Sequence, residues 1–388
     1  MKTRTFLILI TGILTLLNLA CTTRDNIGNL PAPVPGEKTQ QTGAVSSEGW
    51  EANWEKTVQT ARKEGNVVVQ ATSVGPFLKE AGPILEKKYG VTLEILSKRG
   101  GELMTGIMAE RRAGIYRSDV LITGLNTFFG EIAPAGIAEP LEKELLLPDI
   151  LNKNNWYGNE LPWGNDKHTV INMYAYPNSS LAVNSDMVRP ETLKSYWDIL
   201  DPKYKGKIIM NDPTLAGTGL KSFSALGYKI LNLDFFRQLA KQEPLISRDQ
   251  RLQVNWIAQA KYYILLFPRS SDMTDFMDAG AHVAFALPKE GTYLSRDGGG
   301  ISLMNKAPHP NAARLLINYI LSKEGLEFIS RAHGVQSARV DVSTEGIDPL
   351  KLRVQGASYF TGADDEEWIA RDAEFKSGAE DIFKAFLK

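Results

Sequence analysis

The sequence is poor in the residues that carry metal and covalent chemistry. It has one cysteine and four histidines in 388 residues. A single cysteine excludes an internal disulfide, and no Cys/His spacing suits a structural zinc. His168, His282, His309 and His333 are scattered, with no His-x-x-x-His pair. The chain lacks a Gly-x-Ser-x-Gly elbow and a phosphate-binding Gly-Lys-Ser/Thr loop. No catalytic residue, cofactor or metal site is therefore expected. An excess of one charge is also missing: 44 basic side chains face 45 acidic ones. That balance gives no electrostatic reason for a nucleic-acid partner. Only one long apolar run occurs, at the N-terminus, which excludes a polytopic membrane protein. The 43% hydrophobic and 23% charged shares belong to a globular chain and exclude a disordered one.

The N-terminus has the layout of an export signal. Lys2 and Arg4 precede an apolar run from Phe6 to Leu17, which ends in Leu17-Asn18-Leu19-Ala20-Cys21. The lone cysteine stands where a bacterial lipoprotein signal places its acylated residue. Asn18 departs from that pattern, which usually has leucine there. The expectation is a signal over residues 1–20, lipidation at Cys21 and a membrane held through the lipid anchor. Residues 21–48 are rich in Pro, Gly, Ser, Thr, Gln and Asn and include Pro31-Ala32-Pro33-Val34-Pro35-Gly36. Such a stretch reads as a flexible tether. The protein is thus expected in the cell envelope, in the periplasm or on the outer face of the plasma membrane.

From Trp50 the pattern changes to alternating strands and helices, the signature of parallel sheets covered by helices. Helices are expected over Trp50–Lys63, Phe77–Tyr89 (kinked or restarted at Gly82-Pro83), Gly101–Ala113, Glu191–Leu200, Gly219–Leu231 and Asp249–Ala260. Strands are expected over Asn66–Ala71, Val91–Leu96, Val120–Thr123, Lys207–Met210, Tyr262–Phe267, His282–Leu287 and Ile301–Met304, with Tyr174–Val183 extended. Ala312, Leu315, Leu316, Tyr319 and Ile320 form one helical stripe after Pro310, which suits a first turn. Ser322 can cap a second helix ending at Gly334. Trp368–Leu387 is helical in pattern.

Loops that follow strands are where open α/β sheets bind ligands. Thr72-Ser73-Val74-Gly75-Pro76 offers hydroxyls and free N–H groups before a helix. Arg99-Gly100-Gly101-Glu102 joins a guanidinium to a glycine-rich helix start, a natural place for an anion. Gly124-Leu125-Asn126-Thr127 and Asp212 to Gly219 are further loops of this kind, and Arg269-Ser270-Ser271 a weaker one. The candidate ligand-binding residues are Thr72, Ser73, Arg99, Gly100, Asn126, Thr127, Asp212, Thr218 and Arg269. Any such loop also needs small polar residues for turning and capping. The acidic run Asp364-Asp365-Glu366-Glu367 reads as favourable charge at a helix start. Tyr262-Tyr263 reads as packing within a strand.

The body resembles the solute-binding proteins of bacterial ABC importers, nearest the ferric-iron type within the type 2 periplasmic-binding fold. The resemblance rests on Arg99-Gly100-Gly101-Glu102, Glu110-Arg111-Arg112-Ala113-Gly114 and Ser118-Asp119-Val120. It continues through Tyr204-Lys205-Gly206-Lys207-Ile208, Asp212-Pro213, Gly217-Thr218-Gly219, Ala307-Pro308-His309-Pro310-Asn311-Ala312-Ala313 and Leu321-Ser322-Lys323-Glu324-Gly325. It implies an α/β chain of two lobes with a ligand cleft between them. Lobe one would be residues 49–176 and 302–345, lobe two 177–301, and 346–388 a C-terminal helical segment. The crossings would lie near Tyr174–Val183 and Gly300–Asn305. The implied partners are a small-molecule solute and the transmembrane subunits of an ABC permease, with the protein a monomer. Ferric binders of this type use a histidine in the first loop, a glutamate after the third strand and paired tyrosines in lobe two. Thr72–Pro76 has no histidine and Gly124–Thr127 no glutamate. Tyr262-Tyr263 precedes the loop where the pair belongs, here Phe267-Pro268-Arg269-Ser270. Hydroxyls, amides and arginines suit a small organic anion, such as a carboxylate, phosphonate or sugar phosphate. An iron–anion complex stays open. A surface-attached hydrolase using Asp212, Glu290 or His168, or a ligand-sensing domain, are the alternative readings.

Overall fold

A computed structural model describes residues 49–72, 76–98, 100–296, 298–354 and 357–387. The signal, tether and Cys21 lie outside the described residues. Among the described residues no helix is long and apolar enough to cross a membrane.

Two sheets form the centres of two lobes, each sheet with an apolar core on both faces. The first runs β2 (Thr92–Ser97), β1 (Asn66–Ala71), β3 (Val120–Thr123), β13 (Gly300–Met304) and β4 (Ala138–Glu139), with β5 (Ile171–Asn172) also on β13. β1 is parallel to β2 and β3, whereas β13 is antiparallel to β3. The β-branched run Val67-Val68-Val69 is wholly buried because helices cover both faces of this sheet. The second sheet runs β11 (Val283–Phe285), β7 (Leu181–Asn184), β10 (Ile264–Leu266), β8 (Ile208–Asn211) and β9 (Leu245–Ser247). β8 is parallel to β9 and β10, and β7 antiparallel to β10 and β11. The expected strand Tyr262–Phe267 is observed as Ile264–Leu266: the two tyrosines before it pack against the cores of this lobe, and Phe267 after it is buried at φ 62°.

The two lobes are joined by a narrow ribbon. β6 (Tyr176–Pro177) pairs antiparallel with β12 (Thr292–Ser295), and β14 (Tyr359–Phe360) adds to β12 in parallel. Gly300 and Ile301 already pair with β3, so the return crossing precedes them. The chain also leaves lobe one a further time after Val342, and its final helix, Asp372–Phe383, buries Ala379 and Phe383 in a core of lobe two. The end of the C-terminal segment is therefore built into lobe two, whereas its start is held to lobe one through Arg353, which bonds Gln336 Oε1 and Ala175 O.

Local signals worked where they were strongest. Pro310 opens the Pro310–Leu321 helix. Ser322 caps Lys323–His333, its hydroxyl accepting from Gly325 N at 3.2 Å, and Gly334 ends that helix with φ 59°. The Pro76–Tyr89 helix, by contrast, runs through Pro83 without a restart. Leu78, Ala81 and Leu85 lie along one buried face, and that burial outweighs the hydrogen bond proline removes. Glu191–Leu200 is not one helix but two short 3-10 turns, because Ser195 starts the second with a reciprocal capping box to Asp198. Two stretches that carry the family resemblance meet in space. Asp119, fully buried, accepts from Val68 N at 2.8 Å, His309 N at 2.7 Å and lies 2.9 Å from His309 Nδ1.

Candidate functional site

Between the lobes lies a cavity of about 570 Å³, within the range of small-molecule sites. Lobe one contributes Thr72 after β1, Gly124, Asn126 and Thr127 after β3, and His333 with Val335. The ribbon contributes Tyr174, Tyr176, Asn178, Tyr293, Ser295 and Gly298. Lobe two contributes Gly217, Thr218 and Lys221 after β8 and Arg269, Ser270 and Ser271 after β10, and Lys351 comes from the C-terminal segment.

The lobe-two wall is made of two helix starts. The Thr218–Ala225 and Ser270–Asp278 helices both begin at the cavity, and neither has a side-chain cap on its first N–H groups. Each helix start carries about half a positive charge. Gly217 sits at φ 128°, a region that favours glycine. A Cβ on Gly219 would lie 2.8 Å from the Asp212 carbonyl carbon and 3.2 Å from Asn211 O, so only glycine lets this helix start against β8. Lys221 follows Thr218 by one turn and shares its face.

The cations are held from behind. Arg269 donates through Nε and Nη2 to both Asp272 oxygens at 2.8 and 2.7 Å, which together with the nearby charge raises the guanidinium above its ordinary value. Lys221 Nζ pairs with Asp364, whose second oxygen accepts from Arg296 N at 2.8 Å. Burial alone would push the Asp364 carboxyl up, but Lys221 and the Arg296 N–H outweigh it and hold it below the carboxylate range. Asp272 and Asp364 are both buried and neither lines the cavity. Burial and then Lys351 depress the His333 imidazole, which is neutral at physiological pH. Burial pushes the Tyr293 phenol well above its ordinary value; it accepts from Asn178 Nδ2 at 2.6 Å. No described residue lining the cavity is acidic, and no described group of three His, Cys, Asp or Glu could hold a metal.

Thr72, Asn126, Thr127, Thr218 and Arg269 thus come together on one cavity. Ser73 and Arg99 lie outside the described residues, and Gly100 opens the Gly100–Arg112 helix. Asp212 is not on the cavity wall. It is 4% exposed, accepts from Thr214 N and Oγ1 at 2.9 and 2.6 Å and pairs with Arg248 at 3.0 Å, so it shapes the loop that precedes Thr218. Asp364 corrects the reading of the acidic run. Asp365 and the two glutamates do flank a helix start, but Asp364 is buried against Lys221. The residues named for an enzyme do not meet on the cavity. Glu290 accepts from Ser195 Oγ and Tyr196 N, and His168 Nδ1 lies 2.6 Å from Glu142. Sequence reasoning missed Lys221, although its i+3 spacing from Thr218 signals a shared face. It missed Tyr174 and Tyr176, whose period of two marks one face of an extended crossing. His333 and Lys351 carried no local signal.

An uncharacterised protein of Haemophilus influenzae is 23% identical over 331 residues, covering 80% of this chain and 91% of its own. The periplasmic binding protein AfuA from Actinobacillus pleuropneumoniae, solved with exogenous fructose-6-phosphate bound, is 20% identical with a TM-score of 0.58, over 82% of this chain and 99% of that one. Mannheimia haemolytica ferric iron-binding protein A, in an open conformation, is 16% identical with a TM-score of 0.64, over 84% and 100%. These likenesses agree with the two lobes and the cleft described above. The profile of the bacterial extracellular solute-binding proteins matches residues 83–347, which is more than half of the chain, and this protein therefore belongs to that family.

Proposed function

We propose that the protein is the receptor of an ABC importer and takes up a small organic anion bearing phosphate or carboxylate groups. The observation that carries this reading is the lobe-two wall. Two uncapped helix starts, Arg269 and Lys221 converge on a cavity with no acidic residue among its described lining residues. Helix starts with free N–H groups are ready anion sites. Hydroxyls and amides from Thr72, Asn126, Thr127 and Asn178 then supply the neutral hydrogen bonds a polyol or carbon skeleton needs. Direct chelation of bare ferric iron fits this lining poorly, since a hard cation prefers anionic oxygens and no described lining residue is a carboxylate, which leaves only the phenols of Tyr174, Tyr176 and Tyr293 to supply them.

A ligand spanning both walls favours the closed state, which a permease can distinguish from the open one. Cys21 carries the lipid that keeps the receptor at the membrane, and residues 22–48 are its tether.

A thermal-shift panel of fructose 6-phosphate, inorganic phosphate, dicarboxylates, ferric citrate and ferric iron with carbonate tests the substrate class. A ligand at about 100 times its Kd adds roughly 2.7 kcal/mol to the native state. A shift with a metal-free organic anion supports the reading. A shift seen only when iron is present sinks it.

A further inference from the structure

The family profile ends at residue 347, yet the cavity does not. Lys351 lines it, and Asp364 pairs with the lining Lys221 from behind. We infer that the stretch beyond residue 347 completes the solute site, with Lys351 as a solute-contacting cation and Asp364 as a positioning residue for Lys221. The inference deepens the anion reading and rests on it.

The geometry assigns the two residues different work. Arg269 and Lys221 each face a buried carboxylate, Asp272 and Asp364, so much of their charge is already answered. Lys351 has no ion-pair partner among the described residues. Among the described Lys and Arg residues of the lining, it is the one whose charge is left for a solute. Its backbone is held on both sides. Lys351 N donates to Asp348 O at 2.8 Å. Two residues on, Arg353 N donates to Gln336 Oε1 at 2.7 Å and its guanidinium donates to Ala175 O at 3.2 Å while lying 3.8 Å over the Tyr157 ring. A cation on a pinned segment loses less freedom when it meets an anion than one on a loose loop.

Asp364 is pinned equally well. It accepts from Arg296 N, while the Arg296 guanidinium pairs with Asp365 and donates to Thr361 O at 3.2 Å. Trp368, next along, is buried and donates to Ser224 Oγ at 3.2 Å, on the same helix as Lys221. The carboxylate and the lysine it orients are thus fixed to one rigid unit.

The test is calorimetric titration of the full-length protein in detergent with fructose 6-phosphate and with inorganic phosphate. Lys351→Met should weaken binding by about tenfold or more, the worth of one charge-assisted hydrogen bond. Lys384→Met, an exposed lysine on the last turn of the same segment, should change nothing. Asp364→Asn and Asp364→Glu should each weaken binding in the wild-type background and cost no further affinity in the Lys221→Met background. A purely structural role would cost affinity in both. Unchanged affinity in Lys351→Met overturns its contact role. Additive losses with Lys221→Met, or failure of both Asp364 variants to fold, overturn the positioning role. If the wild type binds neither probe nor any dicarboxylate, the anion reading itself fails, which is a separate outcome.

Discussion

Replacing Lys221 by methionine keeps the length of the stem and removes the ammonium. Asp364 then remains fully buried with the Arg296 N–H as its donor. One-sided loss of a buried pair costs about 3–5 kcal/mol, because the abandoned charge keeps its desolvation penalty. At about 2 °C per kcal/mol for a body this large, the melting midpoint should fall by roughly 6–10 °C at neutral pH. The pH dependence sharpens the test. With Lys221 in place the folded carboxyl lies below its unfolded value of 3.8, so its stabilising contribution is complete above that value and fades as pH falls through the folded one. Without the ammonium, burial raises the folded value instead. The carboxylate then opposes folding at neutral pH, and that opposition disappears on acidification. The gap between variant and wild type should therefore narrow from neutral pH toward about pH 4. Melts followed by circular dichroism at both pH values read this directly. A gap below about 1 kcal/mol, or one that does not change with pH, would refute the argument. The double variant Lys221→Met/Asp364→Leu should regain most of the loss, since no buried charge is then left alone.

Gly219→Ala should destabilise by about 1–3 kcal/mol, because its Cβ has no room against Asp212, and it should also weaken anion binding by displacing Thr218. A variant as stable as the wild type would mean the helix start can shift freely. Ser322→Ala should cost about 1 kcal/mol through the lost cap, measured by urea unfolding, with anion affinity untouched. Cys21→Ala should move the protein from the detergent phase to the aqueous phase on phase partitioning; retention in detergent would remove Cys21 as the anchor.

The elements that could be read from residues were those decided by near neighbours. Pro310, Ser322 and Gly334 mark helix ends through φ preferences and one side-chain bond three residues away. The valines of β1 need burial on both faces, and that need shows in any window of six residues. Five cavity residues were legible because they follow strands, and strands of an open α/β sheet end on one side. The ribbon strands β6 and β12 were harder. They span two and four residues, too few to show a period.

What the sequence by itself determined is the alternation of strands and helices, the helix caps and the loops whose small residues let backbone approach a ligand. These follow from dihedral preference and hydrophobic period, which act over a few residues. Only the tertiary structure decided that Asp212 faces its own loop, that Asp364 stands behind Lys221, and that Lys351 and His333 reach a cavity begun by Thr72. Those placements depend on where lobe packing brings distant segments, and charge pairing across 143 residues, as between Lys221 and Asp364, leaves no trace in spacing.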